Sequence, residues 1–275
     1  SLPGVERRYR DWKPGGHGRV DLHKSLVVSC DAYYYSLAND LGIDNIHNFI
    51  GQFGLGKKTG IDIEGEVAGL LPSSAWKMSQ YKQKWYAGDT ISVAIGQGYN
   101  LTTPLQLAFA TMIIANNGKA YLPRLVKQIQ NSETGDVEDI PEKLLYSLNL
   151  KSRNLEIIKN ALVDVTRPGG TAAKAAINAS YTFAGKTGTS QVIGIKQGER
   201  YNEKSINERH RDHAMFIAYA PADNPKIALA VLVENTGTGG STAAPIARQV
   251  FDYYLLGKSP EATVAKLNEP AEEHV

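Results

Sequence analysis

At 275 residues, 42% apolar and 21% charged, the chain has the composition of a globular protein and the length for one large domain or two small ones. A formal charge of +2 with no dense basic stripe argues against nucleic acid or another polyanion as partner. The longest apolar runs, such as 227–233, fall far short of the roughly 20 residues of a membrane span. The single cysteine, Cys30, excludes an intrachain disulfide. The chain opens at Ser1-Leu2-Pro3-Gly4 without Met or signal peptide, and a leader is expected upstream.

Residues 1–28 are rich in Gly, Arg and aromatic residues without periodicity and read as an ordered loop leading into a helix. That helix spans about 32–41, with Tyr34, Leu37, Ala38 and Leu41 on its apolar face and Gly42 as its stop. A second helix follows, capped by Asp44, with Ile46, Phe49, Ile50 and Phe53 inward and Gly54 at its end, so the two make an αα-hairpin. Residues 54–100 read as loop with short strands. Thr103-Pro104-Leu105-Gln106 is a capping box with Pro in the first turn, opening a helix whose apolar face is Leu105, Ala108, Phe109, Met112 and Ile113. Residues 119–148 read as strands around a Thr134-Gly135 turn. Leu155, Ile158, Leu162 and Val165 mark a further helix, ended by Arg167-Pro168-Gly169-Gly170. From about residue 181 come three antiparallel strands, the last two being 214–219 and 226–233, joined by a turn at Pro221-Ala222-Asp223-Asn224-Pro225. The polar run 194–212 between the first two is expected to be a mobile excursion at the mouth of a site. A last helix turns Ile246, Ala247, Val250, Phe251 and Tyr254 inward and closes at Gly257, and 258–275 is a polar tail expected to fray. With no repeats and no linker, 1–257 reads as one α+β unit, an antiparallel sheet with helices packed on both sides.

The chemistry concentrates in Ala184-Gly185-Lys186-Thr187-Gly188-Thr189-Ser190-Gln191-Val192. Small residues let a ligand backbone lie against such a strand, and a Lys beside two Thr hydroxyls suits a carboxylate. Lys58-Thr59-Gly60 has the same letters but sits in a glycine-punctuated loop, where the bland reading prevails. Ser29 and Asp31, just before the first helix, would by themselves read as helix caps. Beside the strand motif, Ser29 reads as part of a proton relay and Asp31 as a group that orients or contacts substrate. Asp11, His17 and Cys30 form a separate O, N and S donor set, each a zinc ligand type; the bland alternative is a buried Cys, a surface His and a solvated Asp.

Together with Tyr9-Arg10-Asp11-Trp12, Gly16-His17-Gly18, Phe53-Gly54-Leu55-Gly56, Gly96-Gln97-Gly98 and Arg211-Asp212-His213, these motifs run in an order that resembles the C-terminal part of a class B penicillin-binding protein. The resemblance is to the penicillin-binding protein 2 branch of the elongation machinery, from about Tyr9 to about Tyr254. It implies a fold like that of the penicillin-binding transpeptidases and serine β-lactamases, with the N-terminal part upstream of Ser1. It implies a peptidoglycan D,D-transpeptidase that attacks D-Ala-D-Ala stem peptides through a serine acyl-enzyme and is inhibited by β-lactams. By the same resemblance Ser29, Asp31, Lys186 and Thr189 are catalytic, Thr187, Gly188 and Thr189 bind substrate along the strand edge, and the Thr189 N–H helps form the oxyanion hole. Asp31 stands where many relatives have Asn.

The family's nucleophile lies in Ser-x-x-Lys upstream of Ser-x-Asn, and nothing before Ser29 fits. Ser74-Ala75-Trp76-Lys77 and Ser79-Gln80-Tyr81-Lys82 match the letters in the wrong order, so the nucleophile is expected upstream of Ser1 and this fragment alone is expected to be inactive. The resemblance further implies a structural zinc on Asp11, His17, Cys30 and an upstream Asp, an N-terminal membrane anchor holding the domain on the periplasmic face of the bacterial inner membrane, and a glycosyltransferase and scaffold proteins as partners. A β-lactamase is disfavoured by the long loops at 54–90 and 194–212. A non-catalytic penicillin-binding sensor is the alternative that the missing Ser-x-x-Lys keeps open.

Overall fold

The computed structural model describes residues 9–192, 206–236 and 238–259. Helix α1 (Leu22–Val27) lies inside the stretch expected to be loop; at 6 residues it is too short to show a period. The Asp21 carboxylate caps it by accepting from the Lys24 N–H at 2.8 Å. Next comes α2 (Asp31–Leu41); Gly42, at φ 74°, turns the chain into α3 (Ile43–Ile50) and completes the αα-hairpin. The buried positions are Tyr35, Ala38, Ile43 and Ile46, while Leu37, Leu41 and Phe49 are exposed. Three consecutive tyrosines make more than one face of α2 apolar, and the Tyr9–Tyr35 ring contact at 5.6 Å selects the face. Asp44 does not cap α3. Its carboxylate accepts from the Ser74 N–H at 2.9 Å and the Ser74 hydroxyl at 2.6 Å.

The segment read as loop with short strands holds α4 (Ser74–Tyr81) and α5 (Ala87–Ala94), with one isolated bridge, Leu70 to Leu101. In α4 the helical period was hidden because the one buried position is the ionic Lys77, whereas α5 buries Thr90, Ile91 and Val93 over only 8 residues, too few to repeat a period. Buried Lys77 pairs with Asp89 beneath the rings of Trp85, Tyr86 and Tyr99. Helix α6 (Pro104–Ala115) opens on the expected capping box, with Thr103 Oγ1 accepting from the Gln106 N–H at 3.1 Å and Gln106 Oε1 accepting from the Thr103 N–H at 2.9 Å. Gln106 is itself buried, and its Nε2 donates to the Lys57 and Ala68 carbonyls at 2.7 and 2.6 Å, tying the glycine-rich loop to α6.

Strands β1 (Lys119–Tyr121), β2 (Gln128–Gln130), β3 (Val137–Asp139) and β4 (Leu144–Ser147) surround the Thr134-Gly135 turn as two separate antiparallel pairs, β1-β4 and β2-β3. After α7 (Ser152–Asp164) come β5 (Ala184–Ser190), β6 (His213–Ala220) and β7 (Ile227–Val233), an antiparallel sheet of order β5-β6-β7. Residues 193–205, most of the excursion expected to be mobile, and 260–275, most of the expected tail, lie outside the described residues. Helix α8 (Ala244–Leu256) closes the fold.

The pleat sorts the two faces of the sheet. Ala214, Phe216 and Ala218 of β6 face Phe183 and the Ala244, Ala247 and Phe251 side of α8. Ala184 and Tyr219 face Ala115 of α6 and Leu162 of α7. Helices therefore cover both faces, as expected. The inward face of α8 is Ala244, Ala247 and Phe251, and Ile246, Val250 and Tyr254 are partly solvent-exposed, which corrects the expected face. Small residues win because the turn before α8 lies directly on the sheet: a Cβ on Gly239 would sit 2.2 Å from the Met215 carbonyl oxygen.

Gln106→Leu keeps the volume but leaves the part-buried Lys57 and Ala68 carbonyls and the Thr103 N–H without their partner. Chemical denaturation of the protein carrying this domain should show a loss of about 3 kcal/mol, against about 1 kcal/mol for Thr103→Ala.

Candidate active site at the edge of β5

Among the described residues β5 pairs only with β6, in the register Lys186 to Ile217 and Gly188 to Met215, and its other edge is free of strand partners. Alternation puts the N–H and C=O of one residue on the same edge. The Thr187 and Thr189 carbonyls accept side-chain hydrogen bonds on the free edge, so the Thr189 N–H points there as well. The Cβ of Gly188 would meet only Met215 Cβ, at 3.4 Å, so packing within the fold does not demand glycine there; the residue leaves the strand's surface low.

Lys186 reaches from β5 to the loop before α2. Its Nζ donates to Ser29 Oγ and, at 2.9 Å, to the Thr187 carbonyl. Burial holds the Lys186 ammonium down to about 8, and the negative charge of Asp31 partly offsets that. Asp31 moves the other way, to about 6, because burial and the neighbouring charge of Asp11 outweigh the Trp12 N–H bond and the charge of Lys186. Thr187 Oγ1 lies 2.8 Å from Thr171 Oγ1, and Thr189 is exposed. The site thus brings together Ser29, Asp31, Lys186 and the 187–189 edge.

Ser29 adopts φ 52°, a left-handed conformation that is costly for a residue with a Cβ. Neither Ser29 nor Asp31 caps α2. Cys30 holds the N-cap position without capping the helix through its side chain, and the Asp31 carboxylate accepts from the Trp12 N–H at 3.2 Å. The turn is held from outside: the Trp12 indole N–H donates to the Val28 and Ser29 carbonyls at 3.1 and 2.8 Å. Sequence reasoning missed the roles of Trp12, Thr171 and Gln97. Gln97 was visible only as part of a glycine-flanked motif.

Beside this turn, Asp11, His17 and Cys30 converge, with one ligating atom of each within 4.8 Å of the others. Tetrahedral zinc places its donors about 3.5 Å apart, so this set fits after small adjustment. The Cys30 thiol donates to Asp11 Oδ2 at 3.2 Å, and His17 Nδ1 lies 3.2 Å from Asp11 Oδ1. His17 Nε2 is buried with no hydrogen-bond partner, an orphan that a metal would satisfy. Burial pushes the Cys30 thiol up; Asp11 is also pushed up by burial, but bonds from Lys13, Cys30 and Ala32 outweigh this and leave it lowered.

The look-alike motifs have other partners. Buried Thr59 and the Gly60 N–H are bonded by Glu66, Lys77 is engaged by Asp89, Ser74 by Asp44, and Ser79 is exposed on α4.

A free strand edge beside a half-buried Lys–Ser pair, with Lys-Thr-Gly on the strand, is the arrangement of the acyl-transferring penicillin-recognising serine enzymes. The profile of the penicillin binding protein transpeptidase domain matches residues 2–252, and the chain belongs to this family. The peptidoglycan D,D-transpeptidase MrdA of Haemophilus influenzae is 45% identical over 99% of this chain, which spans 42% of that relative's length. The crystal structure of Pseudomonas aeruginosa PBP2 in complex with WCK 5153 superposes with a TM-score of 0.80 at 37% identity, covering 98% of this chain and 55% of that one. The complex between PBP2 and MreC from Helicobacter pylori gives 0.75 at 32% identity, covering 93% of this chain and 44% of that one.

Removing the Ser29 hydroxyl in two ways separates strain from bonding. Ser29→Gly and Ser29→Ala both lose the Lys186 contact, yet only glycine relaxes the left-handed backbone. Denaturation should find Ser29→Gly more stable than Ser29→Ala by about 1 kcal/mol.

Proposed function

We propose that the protein carrying this domain is a peptidoglycan D,D-transpeptidase whose β5 edge receives the end of a D-Ala-D-Ala stem peptide, and that β-lactams occupy the same edge. The observation that carries the reading is the half-buried Lys186 ammonium against Ser29 Oγ, directly beside the unpaired edge of β5.

A ligand carboxylate meets the Lys186 charge and the exposed Thr189 hydroxyl. The Thr189 N–H faces the position of a developing oxyanion. The nucleophile is a serine upstream of this chain. Its oxygen bonds to the penultimate D-Ala carbonyl carbon, the C–N bond breaks, and the terminal D-Ala leaves with the serine's proton. The amine of a second stem peptide then attacks the ester carbon, the C–O bond breaks, and a proton returns to the serine. Lys186 and Ser29 form a hydrogen-bonded path beside this chemistry, with Asp31 balancing the lysine's charge. Cross-linking of peptidoglycan places the protein on the periplasmic face of the inner membrane. A scaffold protein and a glycosyltransferase are its proposed partners; the Helicobacter pylori relative solved as a complex with MreC supports the first of these.

Intact-mass measurement of the protein with a penicillin should show one covalent adduct; no adduct on the complete, folded protein would overturn the transpeptidase reading in favour of a non-acylating sensor. The cationic form of Lys186 holds the ligand carboxylate, so the acylation rate should fall as pH rises through about 8. Asp31→Asn removes the charge that holds this group up, and the falling limb should move to lower pH.

We also propose that Asp11, His17 and Cys30 hold a structural zinc ion, with an Asp upstream of this chain as fourth ligand; the orphaned His17 Nε2 supports this. Bound there, zinc supplies structural cross-linking and no chemistry. Elemental analysis of protein purified without chelator should find one zinc per chain, and Cys30→Ser should lose it and melt several degrees lower. Absence of zinc from folded protein would refute the site.

A further inference from the structure

One contact on the free edge of β5 comes from a side chain with no assigned part in the chemistry. Gln97 Nε2 donates to the Thr189 carbonyl at 2.7 Å, and Gln97 Oε1 accepts from the Gln191 N–H at 3.2 Å. A single carboxamide thereby satisfies an acceptor and a donor two residues apart on one strand edge, as one residue of an added strand would.

The sequence around Gln97 builds this placement. Helix α5 ends at Ala94, and Gly96 follows in the left-handed region at φ 77°. The Gly96 N–H returns to the Val93 carbonyl at 2.9 Å and the Gln97 N–H to the Ser92 carbonyl at 3.0 Å, the two bonds of a Schellman ending. Gly98, at φ 71°, turns the chain away again, and a Cβ there would press on Ser92 Cβ at 3.0 Å. Residue 97 is thus placed by backbone bonds at the end of a helix, and its side chain reaches the strand edge. An edge carbonyl with no strand partner needs a donor, and Gln97 supplies one.

We propose that Gln97 is a surrogate for the ligand backbone: it occupies the Thr189 carbonyl while the site is empty and yields it to an amide N–H of a bound stem peptide or acylamino β-lactam. The inference rests on the edge-on binding proposed above. A ligand with an amide N–H at that position must exchange it for the Gln97 donor. A ligand without one leaves Gln97 in place and meets no competition. Gln97 therefore sets how much the site gains from an acylamino group.

The test compares acylation by two β-lactams in the complete protein. A penicillin carries an acylamino N–H; a carbapenem carries a hydroxyethyl group in its place. The quantity read is the ratio of their second-order acylation rates, which cancels losses common to both ligands. In Gln97→Ala the ratio should rise about three- to tenfold, the range that a net hydrogen bond spans. Gln97→Glu keeps the shape and the bond from the Gln191 N–H but has no donor for the Thr189 carbonyl; both ligands carry a carboxylate, so its added charge cancels and its ratio should rise likewise. An unchanged ratio in both variants would overturn the surrogate role, since the carbonyl would then not be contested. A falling ratio would overturn it too, by showing that Gln97 binds the acylamino group directly. Acylation of the wild-type protein by neither compound would instead remove the transpeptidase reading on which the proposal stands.

Discussion

The contact between Lys186 and Ser29 joins the two parts of the domain from which the site is made. One partner is on the sheet and the other on the turn before α2, 157 residues earlier in the chain. An ammonium drawn out of water loses hydration, and only acceptors held in place can compensate. Ser29 Oγ, the Thr187 carbonyl and the nearby charge of Asp31 supply that compensation. What remains uncompensated appears as a lysine that titrates near 8 and an aspartate that titrates near 6. A pair of groups displaced toward each other in this way suits proton handling near neutral pH.

Ser29 can meet the lysine only because its backbone is held in a conformation that it disfavours. The Trp12 indole clamps the two carbonyls at the turn, and the Trp12 N–H bonds to Asp31. Asp11, next to Trp12, bonds to the Cys30 thiol and the Ala32 N–H. The donor cluster and the Ser29 turn are therefore one piece of structure, and a metal on Asp11, His17 and Cys30 would stiffen the support of the lysine's partner. This gives the proposed zinc a physical role without any part in the chemistry.

An open strand edge is a liability that proteins usually blunt. Here the edge remains available and is managed with small and polar residues: Gly188 keeps it low, Thr189 and Lys186 make it hydrophilic, and Gln97 satisfies its far end. The opposite face gains from close packing, where Phe183, Phe216 and Phe251 are fully buried against alanines of the sheet and α8. Full burial of each ring is worth about 2 kcal/mol, and this cluster packs the sheet against α8 while the edge of β5 stays without a strand partner.

Much of the architecture was legible in the residues themselves. The Thr103–Gln106 capping box, Gly42 between two helices, and the apolar, β-rich runs of β6 and β7 are local signals, each readable within a few residues. The same holds for the separation of the Lys58 loop from the Lys186 strand, since glycine punctuation and β-rich flanks are readable in a short window. Helix α4 was not legible because its buried position is a lysine ringed by aromatics, a pattern that periodicity does not score, and α5, with Thr90, Ile91 and Val93 buried, is only 8 residues long. The faces of α2, α3 and α8 were misjudged for a related reason: the sequence lists apolar residues, but only close packing chooses among them. Motif and order thus determined which residues could form a site. The tertiary structure alone decided that Ser29 meets Lys186, that Trp12 holds the turn, that Thr187 is bonded to Thr171, and that Gln97 lies on the edge of β5. Each of these joins residues far apart in the chain, and a hydrogen bond leaves no mark on the sequence between its ends.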